Sequence, residues 1–177
     1  MAWLAMMTLF PALIASSVAL AACSGGSKHA NSTTTPPSTS APTTIGASAI
    51  TRAARAALDA NHKVSIFVLW HNRVPEWASQ STGGPALASL RSAAATRRSR
   101  GIRARVLSDR RRVVSLKVDP SYTSATAVVV DRQRVQPSRR NGRPFGRAVV
   151  LSERATYELR RIGSSERFVV WRVVLHR

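Results

Sequence analysis

Residues 112–120, Arg-Val-Val-Ser-Leu-Lys-Val-Asp-Pro, mark the point at which the pattern of the chain changes. Val114, Leu116 and Val118 alternate with Val113, Ser115 and Lys117 until Asp119-Pro120 breaks the run, and a period of two is that of a half-buried strand. Towards the C-terminus the same signal predicts three more strands: residues 125–135; residues 147–161, with Val149, Leu151, Ala155, Tyr157 and Leu159 on one face; and residues 167–175, with Val169, Trp171 and Val173 aligned. Asn141-Gly142 is a favoured hairpin dipeptide, although residues 137–146 are too many for a two-residue turn, and Gly163-Ser164-Ser165 supplies the next reversal. The four strands read as an antiparallel meander, and there is no internal repeat.

Towards the N-terminus the period is helical. In residues 49–60, Ile50, Ala53, Ala54, Ala57 and Leu58 recur at helical spacing with Arg52, Arg55 and Asp59 on polar positions, which predicts an amphipathic helix. The apolar run 64–70 either continues that helix or forms a short strand, and Pro75 ends it in both cases. After Gly83-Gly84-Pro85 a second helix is predicted over residues 86–100, striped by Leu87, Leu90 and Ala94, with Gly101 suited to its C-terminal cap. Helices followed by a meander define an α+β domain in which the helices cover one face of a curved sheet of about four strands.

The 177 residues carry 27 Lys+Arg against 8 Asp+Glu, a net +19, and one cysteine, Cys23, which excludes a disulfide framework. Lys28 is the only charged residue before residue 49, so +18 of this charge falls on residues 49–177. Residues 1–22 form an apolar run without a charged side chain, as in a signal peptide. The run ends in Leu20-Ala21-Ala22-Cys23, which resembles the bacterial lipoprotein signal. That resemblance implies cleavage before Cys23, diacylglycerol and palmitate on the mature N-terminus, and a cell membrane address on the extracytoplasmic face. The usual basic residue before the apolar run is missing, and an ordinary cleaved leader or an uncleaved anchor remain alternatives. Of the 25 residues 24–48, 18 are Ser, Thr, Pro or Gly, so residues 23–48 read as a lipidated cysteine and a disordered tether, spacer or glycosylated stalk. The folded domain is then expected at 49–177.

The helix-then-meander order, the segment Ser81-Thr82-Gly83-Gly84-Pro85-Ala86-Leu87-Ala88-Ser89-Leu90-Arg91, Gly101 and the strand Val113-Val114-Ser115-Leu116 resemble exported actinobacterial proteins with a nuclear-transport-factor-two-like, SnoaL-like domain. The resemblance implies a cone and, in its isomerase and cyclase members, an acidic base and a hydrogen-bond donor inside it. Asp131, Glu153, Glu158 and Tyr157 form no recognisable acid and donor pair by spacing, Glu153 and Glu158 falling on different faces, so no catalytic residue is carried over. Asp59 and His62 share a helix face as a surface pair. The histidines and the lone cysteine have no metal-ligand spacing, there is no Gly-x-Ser-x-Gly elbow and no phosphate-binding glycine loop, and no metal or cofactor is expected.

Trp70, Trp77, Tyr157 and Trp171 either fill the core or line a pocket in the mouth of the cone. Arg97, Arg98, Arg100, Arg103, Arg110, Arg111 and Arg112 are the expected contact with an anionic lipid or wall polymer, with a solvated basic face enriched by codon usage as the alternative. Nucleic acid is disfavoured, because no binding-module signature is present and the leader directs the chain outward. The sequence therefore predicts an envelope lipoprotein with a non-catalytic binding or accessory domain, whose partner is an envelope component or another membrane protein. The alternative is a SnoaL-like enzyme for an apolar small molecule.

Overall fold

Helical spacing continues without a break from Ala47 to His71, and in the computed structural model, which describes residues 46–176, this whole stretch is one helix, α1. Its buried residues Ile50, Ala54, Ala57, Leu58, Asn61, Val64 and Val68 follow three- and four-residue steps, so the run 64–70 extends the helix instead of forming a strand. The helix ends before Pro75. Asn72 takes the left-handed conformation (φ 54°), its N–H donates to the Val68 carbonyl, and its side-chain amide donates to the Ile102 carbonyl at 2.7 Å. Pro75 instead opens the short 3-10 helix Glu76–Gln80. Helix α2, Gly84–Ser99, begins with Pro85 in its first turn and is followed by Gly101 at φ 64°.

The strands are β1 (Ile102–Val118), β2 (Ser124–Arg139), β3 (Val149–Arg161) and β4 (Phe168–His176), joined in the antiparallel order β1-β2-β3-β4. The meander is therefore as expected, but β1 starts ten residues before Arg112. The β2–β3 connection also closes more tightly than the length of 137–146 suggests. Arg139 N–H donates to the Arg143 carbonyl at 2.9 Å, with Gly142 at φ 82° and an isolated Ser138–Pro144 bridge beyond it.

Register shifts between Val106 and Ser108, Val113 and Ser115, and Glu158 and Leu159 interrupt the alternation. The second corrects the predicted face of β1: Val113, Leu116 and Val118 pack on the core, whereas Val114 is exposed. The main core joins Ile50, Ala54, Ala57 and Leu58 of α1 and Ala86 of α2 to Ala125, Ala127, Val129, Leu159, Phe168 and Val170 of the sheet. A second cluster, Val64, Val68, Ala78 and Ala94, seats the 3-10 helix between the two helices. Both helices pack on one face of the sheet, the α+β arrangement expected, and Ile45–Arg177 forms a compact unit with its own core. Among the described residues no helix is long and apolar enough to cross a membrane. Cys23, the leader and the tether up to residue 45 lie outside the described residues.

Candidate functional site

The inner face of the sheet changes chemistry along its length. Beside α1 it is apolar, with Ala125, Ala127 and Val129 of β2 fully buried. Further along β2 the same face carries Asp131 and Gln133, flanked by Arg111 and Asp109 on β1 and by Glu153 and Leu151 on β3. One turn beyond Leu58, α1 holds His62 over this polar row. Its Nε2 lies 2.5 Å from Asp109 Oδ2 and its Nδ1 lies 3.9 Å from Asp131 Oδ2, while Gln133 donates to Asp131 Oδ2 at 3.0 Å. His62 and Asp59 do not pair with each other. Asp59 lies 3.5 Å from Arg111, whose Nη1 also donates to the Leu58 carbonyl at 2.9 Å and whose guanidinium covers the Tyr157 ring at 5.5 Å.

The electrostatics follow from this arrangement. Burial raises the Asp131 carboxyl, Asp109 raises it further by hydrogen bonding and charge, and His62 and Arg111 oppose the rise, leaving the group at about 6. Burial also works on Asp109, but the hydrogen bond and charge of His62 outweigh it and hold that group below the ordinary carboxylate value. Burial raises both Glu153 and Tyr157. His62, Asp109 and Asp131 each offer a ligand atom within 4.8 Å of the others and so could hold a cation. Their carboxylates, however, address opposite nitrogens of the imidazole, and one ion can take only one of those nitrogens unless the ring turns. The depression lined by Asp131, Gln133, Leu151 and Glu153 measures about 20 Å³, room for one water. The cluster was invisible to spacing, because 47 and 22 residues separate its members; a histidine on the α1 stripe four residues past Leu58 was its only sequence signal.

The four aromatics do not converge. Trp70 and Trp77 line an open groove of about 460 Å³ between α1, the 3-10 helix and the start of β1. Phe67 forms its floor, stacked on His71 at 4.0 Å and meeting Trp77 edge-on at 6.2 Å. Lys63 and Arg105 also line it, and the guanidinia of Arg73 and Arg103 sit over Phe67 and Trp70 at 5.5 and 5.9 Å. Tyr157 lies on the inner face beneath Arg111, as a partly buried neighbour of the main core. Trp171, shifted by the irregularity in β4, lies under Arg160 at 4.4 Å and against Gly84. A Cβ on Gly84 would meet that indole at 2.6 Å, and at φ +46° the position favours glycine on both counts.

Nor do the seven arginines form one surface. Arg111 faces α1, Arg103 covers Trp70, and Arg97 is buried enough that desolvation lowers its pKa. Arg98 and Arg100 are exposed at the end of α2, and Arg110 and Arg112 are exposed on β1, on the sheet face opposite the helices.

No family model matches the sequence, and no curated protein matches it. Among solved structures the chain is similar to the intermembrane space region of the chloroplast protein ARC6, with 15% identity over 71% of this chain and 95% of that one, at a TM-score of 0.57. At that identity the likeness bears on the fold alone: two helices on a four-stranded antiparallel sheet.

Proposed function

We propose that the chain is a lipid-anchored envelope protein whose α+β domain is a non-catalytic binding or accessory module for another membrane protein. The observation that carries the non-catalytic reading is the contrast between two spaces. Beside the polar cluster there is room for one water, whereas the open groove at Trp70 and Trp77 is some twenty times larger and holds apolar rings within a basic rim. Such a groove suits an acidic, partly apolar segment of a partner better than a substrate that must be shielded from water. The similarity to the intermembrane space region of ARC6 is compatible with work beside a membrane. The anchor rests on the lipobox ending at Cys23.

The polar cluster favours the second reading, a SnoaL-like enzyme, because an acid at about 6 beside a histidine is poised for proton transfer. Complementation of a deletion strain separates the two. Asp131→Asn and His62→Gln are expected to restore the wild-type phenotype while Trp77→Ala with Trp70→Ala does not, with accumulation of every variant checked by immunoblot. Loss of function in Asp131→Asn at normal abundance would hand the domain to the enzyme reading. The intact mass of the N-terminal peptide, with Cys23→Ala alongside, tests the anchor: a diacylated Cys23 is expected, and a soluble chain retaining Met1 would remove it.

A further inference from the structure

The strand register that sends Asp109, Arg111, Asp131, Gln133 and Glu153 towards α1 sends their neighbours to the other side of the sheet. Arg110 and Arg112 of β1, Arg132 and Arg134 of β2, Arg154 of β3 and Arg172 of β4 all emerge on the face that no helix covers, and all are exposed. Arg110 stands directly opposite Arg132 across the β1–β2 ladder, where like charges destabilise the pair. Glu158, 3.8 Å from Arg172, is the only carboxylate among the described residues that pairs with any of the six. Arg112 and Arg134 stand two residues from the Arg110–Arg132 pair on the same face and Arg154 lies across Val130 from Arg112, so five arginines cluster there, while Arg172 lies opposite Glu158 farther along the sheet. Val114, next to the β1 irregularity past Arg112, and Val150, opposite Arg134, are also exposed.

We propose that this bare sheet face is a docking surface for an anionic phospholipid bilayer. The inference deepens the envelope reading by naming what the domain rests against, and it depends on that reading only for the choice of occupant. Charge complementarity requires a polyanion, and a broad, open face carrying arginines and valines without a cleft matches a membrane interface, where arginine stems and small apolar side chains reach the headgroup level. The chain outside the described residues supports the choice. On the envelope reading, only the 22 residues 24–45 separate Cys23 from the described domain, so a chain anchored there would bring the face and its partner together at high effective concentration. Four of the six arginines, at 132, 134, 154 and 172, lie outside the clusters that density along the sequence singles out; only sheet register assembles them.

The test uses the chain from Ser24 to Arg177, which retains the whole compact unit and carries no acyl group, so its result is independent of Cys23. Flotation with vesicles of phosphatidylcholine, alone or with about one third phosphatidylglycerol, is expected to show binding to the anionic vesicles alone, falling steeply with salt. At about fivefold per arginine, Arg110→Gln, Arg112→Gln, Arg132→Gln and Arg134→Gln together should weaken partitioning by roughly 600-fold. Removing the same charge from the helices, with Arg52→Gln, Arg55→Gln, Arg91→Gln and Arg98→Gln, should weaken it only severalfold. Thermal melts check folding, and the milder pair Arg132→Gln and Arg154→Gln, expected to lose about 25-fold, serves if the quadruple variant fails to fold. Equal losses from the two faces would reduce the effect to net charge and overturn the proposal. So would equal binding to neutral vesicles, or tighter binding to duplex DNA than to the anionic vesicles at matched ionic strength.

Discussion

The Asp131 carboxyl sits beside a second carboxylate, with Oδ1 lacking any hydrogen-bond partner and its pKa pushed up to about 6 by burial and by Asp109. In the unfolded chain an aspartate titrates near 3.9. Below that value both states hold the proton and Asp131 contributes nothing to the pH dependence of stability. Between about 4 and 6 the unfolded state releases its proton while the folded state keeps it, so stability falls as pH rises, and above about 6 the penalty is fully present. Asparagine at this position is neutral at every pH and can still accept from Gln133. Asp131→Asn is therefore expected to raise stability at pH 8 by about 1 kcal/mol, the full shift being discounted for the solvent that reaches this half-exposed group. The gain should vanish as the pH approaches 4. Urea unfolding at the two pH values measures it, and a gain that does not change with pH would place its origin elsewhere than the carboxyl.

At the scale of elements, α1 is held in register with β1 by its own terminus. Asn72 stops the helix in a left-handed turn and anchors the cap to the Ile102 carbonyl across a separation of 30 residues. Asn72→Ala removes the amide and places a residue ill suited to φ 54°, so a loss of about 2 kcal/mol is expected in thermal or urea unfolding. A loss below about 0.5 kcal/mol would mean that the turn persists without the side chain. The helical stripe from Ile50 to Leu58, the order of four strands and the turn at Gly163 were legible because period and turn chemistry are local. The first ten residues of β1 were not, because the alternation of Ile102, Ala104 and Val106 with Arg103 and Arg105 is cut short by the irregularity at Leu107, after which Asp109 and Arg111 take the inward positions. The inward set Val113, Leu116 and Val118 was masked by the shift at Val113/Ser115, and the assembly of His62, Asp109 and Asp131 depends wholly on which strands lie side by side.

At the scale of the whole molecule, the distribution of charge sets both stability and partnership. Residues 49–177 carry +18, yet among the described residues only Arg111 with Asp59 and Arg172 with Glu158 join an arginine to a carboxylate within 4.0 Å. Self-repulsion of that size opposes the compact state, and added salt weakens it as the screening length falls from ~10 Å at 0.1 M towards ~3 Å at 1 M. Raising sodium chloride from about 0.02 to 0.5 M is therefore expected to stabilise the unit by about 1 to 2 kcal/mol, a rise in melting temperature of roughly 4 to 8 °C for a domain of this size. A melting temperature that falls with salt would show that attractive pairs such as His62 with Asp109 outweigh the repulsion. The same experiment on the Arg110, Arg112, Arg132 and Arg134 variant adds a spatial test. If the bare sheet face is where repulsion concentrates, replacing these four with glutamine should remove more of the salt dependence than replacing the four helical arginines, because Arg110 faces Arg132 with Arg112 and Arg134 two residues away on the same face, while those at 52, 55, 91 and 98 are divided between two helices.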